Sequence, residues 1–155
     1  MILKTRGVRV CMLLLVSCAI GCLAEVGRET LAQAKPADIQ FLTADELKAK
    51  ISRNEPVAII DVRAASGLLE SDNKIKGAVY VKLRRLKSRL GMPPLKDVPR
   101  NREVVTYCAC PNDEASIRAA QVLLEAGFTR VKVLKGGWVT WKKVNGQVEP
   151  LAKVL

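Results

Sequence analysis

Two cysteines separated by one residue, Cys108 and Cys110, stand between a β-branched run from Val104 to Tyr107 and a stretch of helical character that opens at Ala115. A strand that carries a thiol to the mouth of a helix is one way to make a reactive sulfur. The unpaired N–H groups and partial positive charge at that end favour thiolate over thiol. Nucleophilic sulfur chemistry is therefore the first candidate. The chain has no histidine, which excludes a Cys–His dyad and a histidine-containing zinc site within it. Ser116 caps or lines the loop; without a histidine as base it is a poor nucleophile.

The elements that must position these thiols alternate in kind. Ile39 to Phe41 is a short strand, and Thr43-Ala-Asp-Glu46 has the form of a capping box opening a helix over Ala44 to Ser52. Val57 to Asp61 is a continuous apolar run of strand length, as buried parallel strands are. Residues 64–75 read as loop with one helical turn, Gly77 to Val81 as a strand, and Lys82 to Leu90 as a basic amphipathic helix with Leu83, Leu86 and Leu90 inward. Gly91 to Asn101, with Pro93, Pro94 and Pro99, is irregular. Glu103 to Tyr107 is the central strand. Ala115 to Ala126 is a helix stopped by Gly127, Val131 to Leu134 a strand, and Gly136-Gly137 a tight turn into a last helix with Trp138 and Trp141. Strands alternating with helices predict an α/β fold, a parallel sheet covered on both faces. Sites in such sheets lie beyond the carboxyl ends of the strands. Asp61-Val-Arg63, Cys108/Cys110 and Gly136-Gly137 all fall there.

The remaining sequence bounds the setting. A chain of 155 residues that is 49% hydrophobic can bury a real core in one domain. Lys4, Arg6 and Arg9 precede an uncharged, mostly apolar run over residues 10–24, shorter than the roughly 20 residues a spanning helix needs. Residues 1–24 are thus expected to be a signal peptide or lipoprotein leader. Cys18 and Cys22 each follow a lipobox-like stretch, and either could carry a lipid tether to the membrane; plain cleavage near Ala24 is the alternative. Residues 25–37 read as a linker and 38–150 as the folded domain, exported to the periplasm or cell envelope. The five cysteines are too clustered and too odd in number for a disulfide framework. The net charge of +11 attracts anions, but 4% aromatics without a basic–aromatic pattern argues against nucleic acid.

Ile60-Asp-Val-Arg63, Ile75-Lys-Gly-Ala78, Tyr107-Cys-Ala-Cys110 ahead of a helix, Gly127-Phe128 and Leu134-Lys-Gly-Gly-Trp138 with Trp141 together resemble a rhodanese-homology domain of bacterial type. The likeness covers about residues 38–145. It implies a rhodanese-like three-layer sandwich, a central parallel sheet flanked by helices. It also implies a sulfurtransferase that moves sulfane sulfur from a small donor to a thiol acceptor or partner protein through a cysteine persulfide. No metal and no organic cofactor is implied. Backbone amides of the loop, Asn112, Asp113, Glu114, Ala115 and Ser116 here, would cradle the sulfur. Counting from Cys110 gives six residues ahead of Ser116, the family's usual loop size; counting from Cys108 adds two, whereas Tyr107-Cys108 matches the pair that commonly ends the family's strand. Loop size favours Cys110, with Cys108 as a buried residue, a resolving thiol or a disulfide partner.

The loop departs from the family's pattern in carrying Asp113 and Glu114 where a basic residue often helps bind thiosulfate. A carboxylate about 6 Å from the sulfur, at an effective dielectric of about 20, opposes a second negative charge by roughly 2–3 kcal/mol. The alternative is that both acids point outward. Arg63 could bind an anion in the pocket or pair structurally with Asp61 or Glu70. Lys74 replaces a histidine common in the family's Gly-His-Ile run. Two other roles compete with sulfur transfer: an envelope thiol–disulfide protein using the Cys-x-Cys pair, and a non-catalytic module on the same fold.

Overall fold

A computed structural model describes residues 39–69 and 71–151. The expected leader (1–24), the linker (25–37) and Glu70 lie outside the described residues. In chain order the elements are β1 (Gln40–Leu42), α1 (Ala44–Ser52), β2 (Val57–Asp61), α2 (Ala65–Leu69), β3 (Asn73–Ile75), β4 (Val79–Tyr80), α3 (Leu86–Arg89), β5 (Glu103–Tyr107), α4 (Glu114–Glu125), β6 (Arg130–Leu134), α5 (Gly137–Lys143) and β7 (Val148–Pro150). Five strands form one parallel sheet in the order β1-β6-β5-β2-β4. This is the three-layer α/β sandwich expected from the alternation.

β5 lies at the centre, and all five of its residues are buried. Strand side chains alternate between faces. Val104 and Cys108 therefore join the apolar cluster with Leu86, Leu90, Ala119, Ala120 and Leu123, under α3 and α4. Val105 and Tyr107 join Leu47, Leu134, Trp138 and Trp141, under α1 and α5. The thiol of Cys108 is thereby assigned to the α4 face by parity alone. At the opposite end of β5, buried Glu103 faces Lys50, Arg130 and Lys132 at 3.3, 3.1 and 3.7 Å.

The capping box of α1 is complete: Thr43 accepts the Glu46 N–H, and Glu46 accepts the Thr43 N–H at 2.8 Å. Three expectations are corrected. The single helix over Lys82 to Leu90 is a 3-10 turn at Leu83–Arg85 followed by α3. The inward leucines explain this, being three apart from Leu83 to Leu86 and four apart from Leu86 to Leu90. β4 is shorter than Gly77 to Val81, because Gly77 takes φ +77° in the preceding turn. The stretch over 64–75 has its expected helical turn in α2 but also contains a strand, β3, which pairs antiparallel with β7, a strand the sequence does not announce.

Candidate functional site

The site begins where β5 ends. Cys108 is fully buried, and its carbonyl accepts the Trp138 N–H at 2.8 Å. That contact needs a close backbone approach at Gly137, where φ is +46° and an added Cβ would lie 2.1 Å from the Cys108 oxygen. Below the next residue, a Cβ on Gly67 would come within 3.1 Å of the Ala109 Cβ, so α2 also makes room for the loop. Cys110 to Asp113 then forms a β-turn, closed by the Asp113 N–H donating to the Cys110 carbonyl at 3.3 Å. Pro111 occupies the position where its fixed φ suits such a turn.

The turn brings the Cys110 sulfur back to the start of α4. No side chain caps that helix from Asp113. Instead the Ala115 N–H, one of the donors a helix start leaves unpaired, acts on the Cys110 thiol as the one group there that pulls it down. Burial pushes the Cys110 thiol up, and so do its hydrogen bond to Cys108 and the Cys108 and Glu114 charges; the Ala115 amide pulls it down. Cys110 is half-buried at the rim, whereas Cys108 lies beneath. The Cys108 sulfur accepts the Cys110 N–H at 3.3 Å and lies 3.5 Å from the Ser116 hydroxyl, which also donates to the Asp113 carbonyl at 2.8 Å. Thr106 donates to the Ser116 carbonyl at 2.9 Å, fixing the first turn of α4 against β5.

The two acidic residues of the loop part company. Glu114 is 68% exposed and pairs with Arg118 at 2.9 Å, out over the helix surface. Asp113 is only 7% exposed and accepts the Gly136 N–H at 2.8 Å. Its backbone is left-handed, φ 55° and ψ 18°, a conformation that costs roughly 1–2 kcal/mol for an L-residue and that Asp tolerates better than most. Asp113 thus acts as a strut between the loop and the β6–α5 turn. That role was missed in the sequence, although Gly136-Gly137 was its available signal. Asn112 and Pro111 are exposed at the tip of the turn.

Arg63 is held by residues outside the loop, with its Nη1 left without a hydrogen-bond partner. It is 1% exposed; its Nε lies 3.1 and 3.0 Å from the two Asp61 oxygens, and its Nη2 donates to Asp61 at 2.8 Å and to the Asn73 carbonyl at 2.8 Å. The guanidinium lies 4.4 Å over the Trp138 ring. Tyr107 adds its hydroxyl to Asp61 at 2.8 Å; burial, then the Asp61 charge, hold that phenol far above its usual range, so it remains a donor. A cavity of about 510 Å³ opens beside the loop, lined in part by Thr43, Pro111, Asp113, Lys135 and Thr140, with neither cysteine among its lining residues.

The chain matches the family model of the rhodanese-like domain over residues 43–144, and it belongs to that family. It is 24% identical over 105 residues to a protein named sulfurtransferase from Allochromatium vinosum, covering 68% of this chain and 90% of that one. Among solved structures it resembles the Alr3790 protein of Anabaena, with 32% identity, a TM-score of 0.60, and 73% and 84% of the two chains covered. It also resembles a thiosulfate sulfurtransferase from Pseudomonas aeruginosa, with 25% identity and a TM-score of 0.58, over 72% of this chain and 20% of that one. These likenesses support a sulfurtransferase-type function at the level of the family.

Proposed function

We propose that Cys110 carries sulfane sulfur as a persulfide. The observation that supports this most directly is the placement of Cys110: partly exposed at the rim, where Cys108 is buried, in the loop that leads into α4, with the Ala115 amide acting to pull its thiol down. Attack by the Cys110 thiolate forms an S–S bond to the donor's outer sulfur, and the remainder of the donor leaves as an anion. The new terminal sulfur bears the charge, and the amides at the start of α4, from Glu114 to Ser116, are the donors nearest to hand. An acceptor thiol, free or on a partner protein, then attacks that outer sulfur and releases Cys110 as thiolate. The cavity flanked by Pro111 and Asp113 offers space for an acceptor to approach the loop.

The donor we favour is a polysulfide or an organic persulfide over thiosulfate. Residues 108–116 contain no lysine or arginine, Arg118 is occupied by Glu114, and Arg63 by Asp61. The loop itself thus offers a thiosulfate dianion no free cation, although the exposed Lys135 lines the cavity beside it. The basic residues ahead of the apolar run over 10–24 support a setting in the cell envelope, with Cys18 or Cys22 as the point of lipid attachment.

The test is site-mapped mass after donor exposure. The C108S chain, which leaves Cys110 as the sole thiol of the pair, is expected to gain one sulfur atom on the peptide holding Cys110 and to lose it on adding cyanide. Polysulfide should load it faster than thiosulfate. A chain that takes up no sulfur at Cys110 from either donor removes the proposal.

A further inference from the structure

Cys108 is the one nucleophilic group of the loop that this cycle leaves unused. With no exposed surface, it is out of reach of donors in solution. It is nevertheless packed against the carrier: its sulfur accepts the Cys110 N–H at 3.3 Å, and the Cys110 sulfur hangs three bonds from that same nitrogen. Cys110 opens the β-turn that ends at Asp113, and both thiols are free. On its other side the Ser116 hydroxyl, 3.5 Å away, can turn its proton toward a Cys108 thiolate.

We propose that Cys108 resolves the Cys110 persulfide, so that in the absence of an acceptor the loop reduces sulfane sulfur to sulfide. The inference rests on the reading of Cys110 as the sulfur carrier. The proton of the Cys108 thiol passes to the outer sulfur of the persulfide. The Cys108 thiolate then attacks the inner sulfur from the buried side, and HS⁻ leaves on the side open to solvent. A Cys108–Cys110 bond forms as the persulfide bond breaks. Each cysteine sulfur gives up one electron, and the sulfane sulfur takes up both. A disulfide across one intervening residue is strained and readily reduced, so a small dithiol restores both thiols. An acceptor that arrives first takes the sulfur instead, and the product is set by that competition.

The experiment uses the full chain, reduced and anaerobic, treated with inorganic polysulfide and then desalted. Intact mass, peptide mapping and sulfide release are followed. The wild-type chain is expected to end lighter by two hydrogen atoms, with Cys108 joined to Cys110 and an equivalent of sulfide released. C108S is expected to stop at the persulfide and to release sulfide only when an external thiol is added. A wild-type chain that keeps the added sulfur on Cys110 and releases no sulfide overturns this inference and leaves sulfur carriage intact. Failure of both chains to take up sulfur overturns both. The wild-type readout stands without any variant, so a folding defect in C108S does not decide the outcome, and C110S should form neither product.

Discussion

β2 and β5 run side by side through the middle of the sheet, and each ends in residues able to handle a charge. They use that ability differently. At the end of β2, the Arg63 guanidinium and the Asp61 carboxylate hold one another in full burial, joined by Tyr107 and the Asn73 carbonyl, with the Arg63 Nη1 alone unpartnered in that set. At the end of β5, Cys110 lies partly exposed at the rim, and the Ala115 amide of the helix start pulls its thiol down. The first corner is buried and ties β2, β5 and β3 together; the second is partly open to solvent. Buried charge with every partner internal is a structural device, because its removal strands the partner. A reactive group needs the reverse, donors in place before the ligand arrives.

The contrast is sharpest at Cys110. Cys110→Ser should abolish sulfur uptake at the loop while leaving the denaturation midpoint nearly unmoved, since the residue is at the rim. Next in size, Asp61→Asn should cost about 3–5 kcal/mol in urea unfolding by leaving Arg63 buried and uncompensated. Sulfur loading per folded molecule should remain within about twofold of wild type. Loss of loading in a fully folded D61N chain would break the contrast, because Arg63 would then belong to the chemistry.

Smaller changes probe what holds the open corner. Gly137→Ala forces a methyl against the Cys108 carbonyl at 2.1 Å and a left-handed alanine. A loss of about 2–4 kcal/mol is expected in thermal or urea unfolding, with slower loading. Asp113→Ala removes the acceptor of the Gly136 amide but keeps the left-handed turn. About 1–3 kcal/mol should be lost, again with slower loading. Glu114→Gln should have the least effect. Its charge is among the causes that hold the Cys110 thiol up, after burial and the hydrogen bond to Cys108. A raised thiol is mostly protonated at neutral pH, so loading should climb as pH rises toward it. Removing the Glu114 charge lowers the thiol and moves that climb to lower pH. The gain at pH 7 should be about twofold, since the carboxylate is exposed and already paired.

Much of this was legible in order of residues. The capping box at Thr43, the buried run of β2, the five-residue strand before Cys108 and the helix stop at Gly127 depend on neighbours a few positions away, and each is found where it was read. The loop's size and its place past a strand end were equally local. β7 escaped notice because a three-residue strand is defined by its partner, β3, which lies far off in sequence. The acids of the loop differ for a related reason. Treated alike, they differ because Gly136, brought in by β6, offers an amide to Asp113 alone.

The sequence by itself determined the class of fold and the thiol-bearing turn, because periodicity, capping and strand parity act over single elements. Only the tertiary structure decided that Arg63 is enclosed by Asp61 and Trp138, that Cys108 is fully buried, and that Cys110 lies partly exposed at the rim. Those outcomes depend on which groups from different strands meet in three dimensions. A buried charge or donor takes whatever partner the packing brings within about 3 Å, and no spacing along the chain encodes that meeting.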